Sequence, residues 1–146
     1  MPIVVWDGSL NIGIEAIDKQ HAYLFEVMNN LFHKTIKGMK KQAVAEVIDS
    51  MKNYVRYHFE LEERLMAKAD YPELAKHKQA HARFVDELDK YEFLQDADVE
   101  TLPIEILTYL INWCLWHYLT VDKRYVQHLK EALAPADLKG GPIPAG

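Results

Sequence analysis

The chain has 146 residues and a formal net charge of −5, with 49% hydrophobic and 27% charged residues. This length and composition predict one globular domain with a single core. The sequence has no basic run, which argues against a nucleic-acid partner because phosphate binding needs clustered lysine and arginine. The one cysteine, Cys114, excludes an internal disulfide framework and favours a reducing, cytoplasmic location.

Residues 1–17 show no helical period and predict an extended N-terminal arm, in which Trp6 packs onto the body of the domain. The arm has neither a basic start nor a long apolar run, which argues against a signal peptide. Asp18 is a candidate N-cap for a first amphipathic helix over residues 18–37, and Gly38 is expected to end that helix.

A second amphipathic helix is predicted over residues 40–67. Its apolar stripe includes His58 and Glu62, whereas its opposite face carries charged residues such as Glu60, Glu63 and Arg64. The stripe should therefore bury Glu62. A buried carboxylate is unfavourable unless it is paired or bound to a metal, so Glu62 is a candidate ligand.

The third helix is expected to start at Pro72 and to place His77 and His81 on its inner face. The acidic segment 95–100 predicts a surface loop, and a fourth helix follows over residues 103–133. Its inner line includes His117, with Asp122 one turn further on. Residues 102–121 are nearly long enough to span a bilayer, but their polar interruptions favour a buried helix instead, without membrane insertion.

Four amphipathic helices with short connections predict an all-α fold, an up-down-up-down four-helix bundle with an extended N-terminal arm. The sequence has no run of comparable quality with the period of a strand. We assign residues 1–133 to this domain. Residues 134–146 contain three prolines and three glycines and predict a flexible C-terminal tail.

Each of the four predicted helices places at least one histidine on its inner face. Such a histidine, taken alone, is usually a core residue that is satisfied by a backbone carbonyl. Five of them together with two buried carboxylates would need more internal partners than helix backbones can supply, so we predict a metal site. The candidate ligands are His21, His58, Glu62, His77, His81, His117 and Asp122. His33 and His128 lie off this set and are expected to be exposed or at helix ends.

Imidazole and carboxylate ligands without thiolate suit iron, zinc, manganese or copper. Seven ligands are too many for one tetrahedral zinc ion but suit two ions. If Glu62 and Asp122 each bridge the two ions, together with an oxo or hydroxo group from solvent, three histidines complete one six-coordinate ion. The remaining two histidines leave the other ion five-coordinate, with one open position. This count does not select iron over the other metals.

Several motifs along nearly the whole chain resemble the hemerythrin family, in particular its bacterial single-domain members. The matches are Trp6, Ile17-Asp18-Lys19-Gln20-His21, His58-Phe59 with Glu62-Glu63 and Met66, Tyr71-Pro72, His77-x-x-x-His81-x-x-Phe84, Trp113-x-x-x-His117 and Asp122-x-x-Tyr125. Each motif alone is modest, but their order and spacing together are highly specific.

The resemblance implies reversible O₂ binding at a non-haem centre of two iron ions with an oxo or hydroxo bridge. It assigns the six-coordinate iron to His77, His81 and His117, and the open iron to His21 and His58. The implied role is storage, delivery or buffering of O₂, with an O₂-consuming protein as a partner, and not that of an enzyme. The alternatives are a di-iron enzyme that reduces peroxide or nitric oxide, and a sensor of O₂ or redox state.

The sequence departs from the family pattern beside His117. Cys114 stands where the family usually has leucine, and Tyr118 stands where it usually has isoleucine; with Trp113, these residues resemble the wall of the O₂ pocket. Two interpretations stay open. Tyr118 could direct its hydroxyl outward with Cys114 as a small hydrophobe. Alternatively, both residues open or polarise the pocket, so that water or anions enter and the site oxidises faster.

Overall fold

Six α-helical segments form four continuous helices in the computed structural model, which describes residues 2–139. The bounds of the segments are α1 (Glu15–Ile36), α2 (Lys40–Tyr54), α3 (Glu60–Lys68), α4 (Leu74–Leu94), α5 (Leu102–Trp116) and α6 (Lys123–Ala132). A π-helical turn (Val55–Phe59) joins α2 to α3, and a second one (His117–Asp122) joins α5 to α6. Short 3₁₀ turns occupy Gly8–Leu10 and Pro135–Leu138.

The packing confirms the predicted all-α four-helix bundle. α1 packs against α2 and α5, and α4 packs against α2, α3 and α5. Within residues 2–139 no β-strand is present. None of the helices in this part of the chain is long and apolar enough to cross a membrane.

The first helix starts three residues earlier than predicted, and Asp18 is not its N-cap. The helix begins at Glu15, and its N-cap residue, Ile14, makes no side-chain capping hydrogen bond. The Asp18 carboxylate instead accepts hydrogen bonds from the backbone N–H groups of Ile12, at 2.7 Å, and Gly13, at 3.1 Å. The residues just before the helix fold back over its first turn, so the N–H groups of this segment, and not those of the helix, donate to Asp18. The third predicted helix begins at Leu74, later than the predicted start at Pro72, which lies in the preceding turn.

Two helices end on a residue with left-handed backbone geometry. Gly38 has φ of +80° and follows α1, where the N–H of Gly38 donates to the carbonyl of Thr35 at 3.1 Å. The N–H of Met39 donates to the carbonyl of Lys34 at 2.9 Å, which completes a Schellman motif. This confirms that Gly38 ends the helix. Asp70, with φ of +52°, holds the same position after α3.

Replacing Asp70 with glycine should stabilise the protein. Asp70 is exposed, so the change removes the steric strain of a Cβ atom in left-handed geometry and buries nothing new. We expect the free energy of unfolding to rise by about 0.5 kcal/mol, since the larger backbone entropy of unfolded glycine offsets part of the gain. Denaturant titration measures the change. Asp70→Ala is the control: it keeps a Cβ atom, so a similar gain there would contradict the explanation.

The N-terminal arm is held against α1 by one amide side chain. The N–H groups of Ile3 and Val4 donate to Oδ1 of Asn29, and Nδ2 of Asn29 donates to the carbonyl of Val4 at 2.8 Å. The Trp6 ring meets Phe25 edge-on, with 5.1 Å between ring centroids. The predicted packing of Trp6 on the body is therefore confirmed.

The buried apolar residues form two clusters. The larger one lies among α1, α2, α4 and α5, and the smaller one joins residues 12–17 to α3 and α6. Leu138 packs against the smaller cluster, and Lys68 forms an ion pair with Asp137 at 2.6 Å. Residues 140–146 of the predicted tail lie outside the described residues. Along α1 the clusters are separated by Gln20 and His21, which belong to a group of buried polar side chains.

Candidate metal centre

Eight polar or charged side chains are buried between the two apolar clusters, each at most 3% exposed among the described residues. They are Gln20, His21, His58, Glu62, His77, His81, His117 and Asp122. All seven ligands predicted from the sequence are in this set, and the eighth is Gln20. Burying so many polar groups is unfavourable unless they are hydrogen-bonded or bound to a cation.

The seven candidate ligands form two groups that share their carboxylates. One group contains His77, His81 and His117, the other contains His21 and His58, and both include Glu62 and Asp122. Within each group the candidate ligand atoms all lie within 4.8 Å of one another. This is the arrangement expected for two neighbouring cations with two bridging carboxylates.

The π-helical turn in the fourth helix brings His117 and Asp122 to the same face. In a regular α-helix, residues five apart point about 140° away from each other. A π-helical turn holds about one more residue and places such residues one above the other. The turn spans His117–Asp122, so that both side chains enter the buried group. The turn Val55–Phe59 likewise carries His58.

Glu62 contacts histidines from three helices. Its Oε1 lies 2.5 Å from Nε2 of His58 and 3.5 Å from Nε2 of His21. Its Oε2 lies 3.0 Å from Nε2 of His77 and 3.2 Å from Nε2 of His81. Each oxygen therefore faces one of the two histidine groups.

Asp122 makes a similar set of contacts from the fourth helix. Its Oδ1 lies 2.9 Å from Nε2 of His117 and 3.1 Å from Nε2 of His77. Its Oδ2 lies 3.1 Å from Nε2 of His21. Like Glu62, it directs one oxygen to each group.

The tautomers of two histidines direct their lone pairs towards these carboxylates. Nδ1–H of His58 donates to Oε1 of Gln20 at 2.7 Å, and Nδ1–H of His81 donates to Oε2 of Glu63 at 2.8 Å. Each neutral imidazole then presents an unprotonated Nε2 to an ionised carboxylate. Two lone pairs at this distance repel each other unless a cation lies between them, so the donor set fits a metal site.

Several of the inward-facing atoms lack any hydrogen-bond partner of acceptable geometry among the described residues. They are Oε1 of Glu62, Nε2 of His81, Nε2 of His117 and both carboxylate oxygens of Asp122. Buried polar atoms in native proteins are nearly always satisfied. Metal ions held by imidazole nitrogen and carboxylate oxygen would satisfy all of them.

The electrostatics keep the carboxylates ionised. Burial alone would raise the pKa of Glu62, but the neighbouring histidines, His58 most strongly, hold it well below its ordinary value. The pKa of Asp122 is lowered in the same way. Burial also opposes the charge on His77, but the Asp122 and Glu62 carboxylates beside it raise its pKa to about 10. The site thus has a strong attraction for positive charge.

On the three-histidine side, apolar rings stack against two imidazoles. Phe59 stacks on His81 with 3.7 Å between ring centroids, and Trp113 stacks on His117 at 4.2 Å. Trp113, predicted as part of a pocket wall, therefore lies against the three-histidine group. Its ring also meets Tyr118 edge-on at 5.8 Å.

On the two-histidine side, the stacking rings are tyrosines. Tyr118 stacks on His21 at 3.5 Å between centroids, and its hydroxyl lies 2.6 Å from that of Tyr54. The interpretation in which the Tyr118 hydroxyl points outward is therefore wrong: the ring is 1% exposed and the hydroxyl points into the core. Cys114 is buried beside it, and burial outweighs a hydrogen bond with Tyr118 and raises the pKa of the thiol.

Sequence reasoning missed three residues that support the ligands. Gln20 lies on the buried stripe of α1, one residue before His21. A polar residue at a buried position needs a hydrogen-bond partner, and this could have indicated a role beside the candidate ligands. Glu63 was assigned to the exposed face, and nothing in the sequence predicted its bond to His81. Tyr54 stacks on His58 with 4.7 Å between ring centroids, and its position four residues before His58 was the available signal.

The two histidines outside the predicted set are not part of either ligand group. His128 is partly buried in α6, where its Nε2 lies 2.6 Å from the carbonyl oxygen of Ala69. His33 is partly exposed in the last turn of α1, beside the ring of Phe32.

A sequence model described as the hemerythrin HHE cation binding domain matches residues 12–129, a span that contains all seven candidate ligands. The chain belongs to the hemerythrin family. Among its relatives, the bacteriohemerythrin of Stenotrophomonas maltophilia is 38% identical over 133 residues, which cover 91% of this chain and 86% of the relative. The bacteriohemerythrin of Pseudomonas aeruginosa is 33% identical over 92% of this chain and 86% of the relative. That of Clostridium acetobutylicum is 29% identical over 84% of this chain and 98% of the relative.

The buried cluster is thus a hemerythrin-type metal site, in agreement with the cation-binding description of the matched domain. The candidate ligands of this chain come from four separate helices, and Gln20 on α1 and Glu63 on α3 hold two of them, His58 and His81, through their Nδ1–H groups.

Replacing Gln20 with leucine should weaken metal binding without unfolding this hemerythrin. The change removes the acceptor that holds the Nδ1–H of His58, so the imidazole loses its fixed tautomer and orientation. Loss of such a supporting hydrogen bond lowers metal affinity by about 10–100-fold. Competition against a chelator of known affinity measures the change. Gln79→Leu, at an exposed position of α4, is the control; equal affinities in both variants would contradict the role of Gln20.

Proposed function

We propose that this hemerythrin binds O₂ reversibly at a pair of iron ions held by His21, His58, Glu62, His77, His81, His117 and Asp122. The observation that carries the proposal is the sharing of Glu62 and Asp122 between the two ligand groups. Two carboxylates common to both groups favour two neighbouring ions over a single one. The membership in the hemerythrin family supports iron as the metal.

The two ligand groups are unequal, and this supports the binding of a small ligand. The group of His77, His81 and His117 offers five protein ligands when the shared carboxylates are counted, whereas the group of His21 and His58 offers four. If both ions prefer the same coordination number, the ion on the two-histidine side has one more coordination position that no protein atom fills than the ion on the three-histidine side. We therefore assign O₂ to that side.

The iron pair, when bound, supplies the electrons that O₂ needs in order to bind and that return to the metal when O₂ leaves. The protein holds the ligands in place and excludes water. Gln20 and Glu63 fix the tautomers of His58 and His81, so that their Nε2 atoms face the carboxylates. Burial of every candidate ligand to 3% exposure or less keeps the site dry, which slows irreversible oxidation and side reactions.

The proposed role is O₂ storage or delivery, with O₂ as the ligand and an O₂-consuming protein as the recipient. A redox enzyme that reduces peroxide or nitric oxide, or a sensor, would use the same metal pair. Of these functions, storage and delivery need only reversible binding. An enzyme would also need a reductant and turnover, and a sensor would need a partner that responds to the state of the site.

The decisive experiment combines metal analysis with visible spectra of the same sample under anaerobic conditions, after O₂ is added and after O₂ is removed. We expect a pair of iron ions in each chain. We also expect a colour that appears with O₂ and disappears when the gas is removed. A colour change that does not reverse would favour the enzyme or the sensor. A sample that binds zinc, or no metal, would contradict the proposal.

A further inference from the structure

Tyr54 and Tyr118 form a hydroxyl pair on the two-histidine side of the centre. Tyr118 stacks on His21 with 3.5 Å between ring centroids and 15° between planes, and Tyr54 stacks on His58 at 4.7 Å and 23°. The two hydroxyl oxygens lie 2.6 Å apart. All four side chains are at most 1% exposed, so the pair is a buried wall against both histidines of this group.

A count of protons shows that the pair has one donor in excess. Two hydroxyls carry two protons, and the bond between them uses one. For the residues that the structure describes, neither hydroxyl has a second nitrogen or oxygen partner, and the neighbouring Cys114 thiol is only a weak acceptor. A pair of phenylalanines would fill the same space without a buried hydroxyl proton that has only a sulfur atom to receive it. The hydroxyls therefore indicate a further acceptor at this position.

We propose that the Tyr54–Tyr118 pair donates a hydrogen bond to a small anionic ligand bound on the two-histidine side of the metal centre. This inference rests on the proposed function, because the metal pair has to hold the ligand. A charged acceptor forms a stronger hydrogen bond than a neutral one. The pair therefore favours a ligand that carries negative charge where it meets the two hydroxyls.

Azide is a suitable probe, since it is a small linear anion that binds oxidised iron and changes its visible spectrum. In the iron-loaded, oxidised protein, Tyr118→Phe and Tyr54→Phe should each raise the dissociation constant of azide by about 10-fold. The infrared stretching band of bound azide should also change frequency in both variants. In the unaltered protein this band should shift slightly in D₂O, because the hydroxyl proton exchanges, and the variants should lose that shift. Both variants keep the ring that stacks on the histidine, so iron content should not change.

Tyr91→Phe is the matched control, because it removes the hydroxyl of another buried tyrosine outside the centre. It should bind azide like the unaltered protein. Unchanged affinity and an unchanged azide band in both Tyr118→Phe and Tyr54→Phe would overturn the inference, even though iron content and the reversible colour with O₂ remain. An unaltered protein without iron would overturn the proposed function, and this inference with it.

Discussion

Replacing Glu62 with glutamine is expected to abolish retention of the proposed iron pair. Glu62 belongs to both ligand groups, and its two oxygens lie 2.5–3.2 Å from Nε2 of His58, His77 and His81. A neutral amide offers one oxygen where the carboxylate offers two, and it carries no charge to balance two cations. Loss of a residue that only supports a ligand costs about 10–100-fold in metal affinity. Loss of a shared ligand should exceed that range, and metal analysis of the purified variant measures it.

Glu63→Gln is the matched control for this experiment. It is the next residue along α3 and undergoes the same chemical change, but it contacts the centre only through Nδ1 of His81. We expect it to keep its iron with reduced affinity. Asp122→Asn should behave like Glu62→Gln, since Asp122 also belongs to both groups. A Glu62→Gln protein that keeps as much iron as the control would show that Glu62 does not bridge the ions.

Removal of the metal with a chelator should cause the second large effect, a marked fall in thermal stability. A ligand present at about 1,000 times its dissociation constant stabilises the folded state by about 4 kcal/mol. For a domain of this size, 1 kcal/mol corresponds to about 2–4 °C in the melting temperature. We therefore expect the melting temperature to fall by about 8–16 °C. The physical reason is that buried polar atoms of His81, His117 and Asp122 have no hydrogen-bond partner among the described residues once the metal is removed.

Calorimetry of the chelated protein, followed by addition of ferrous iron without oxygen, tests this prediction and its reversibility. The Glu62→Gln variant provides the comparison, because a chelator should hardly change a protein that holds little metal. If the unaltered protein melts at the same temperature with and without metal, the metal does not hold the four helices together at this point of the core.

The sequence predicted most of the fold because the helices follow regular apolar periods. His58 with Glu62 and His77 with His81 could be placed on inner faces from their spacing of four residues. The start of α1 could not be predicted, because the residues just before the helix fold back over its first turn and the N–H groups of Ile12 and Gly13 donate to the Asp18 carboxylate.

The contacts that hold the candidate ligands were harder to predict than the positions of the candidates in the core. Glu63 has the spacing of an exposed residue and reaches His81 only because α3 and α4 pack side by side. The direction of the Tyr118 hydroxyl depends on Tyr54, which is 64 positions away in sequence. Such contacts are set by the packing of helices against each other, and a periodic pattern within one helix contains no information about them.

The π-helical turn at His117–Asp122 also constrains how this chain can change in evolution. Leu110 and Leu129 are both buried, yet nineteen positions of regular α-helix would leave them about 100° apart around the axis. The additional residue in the turn restores their common direction. An insertion or deletion within this segment would rotate Tyr125 and Leu129 out of the smaller apolar cluster, so its length is fixed. The surface loop at residues 95–100 has no such restriction and is free to lengthen or shorten.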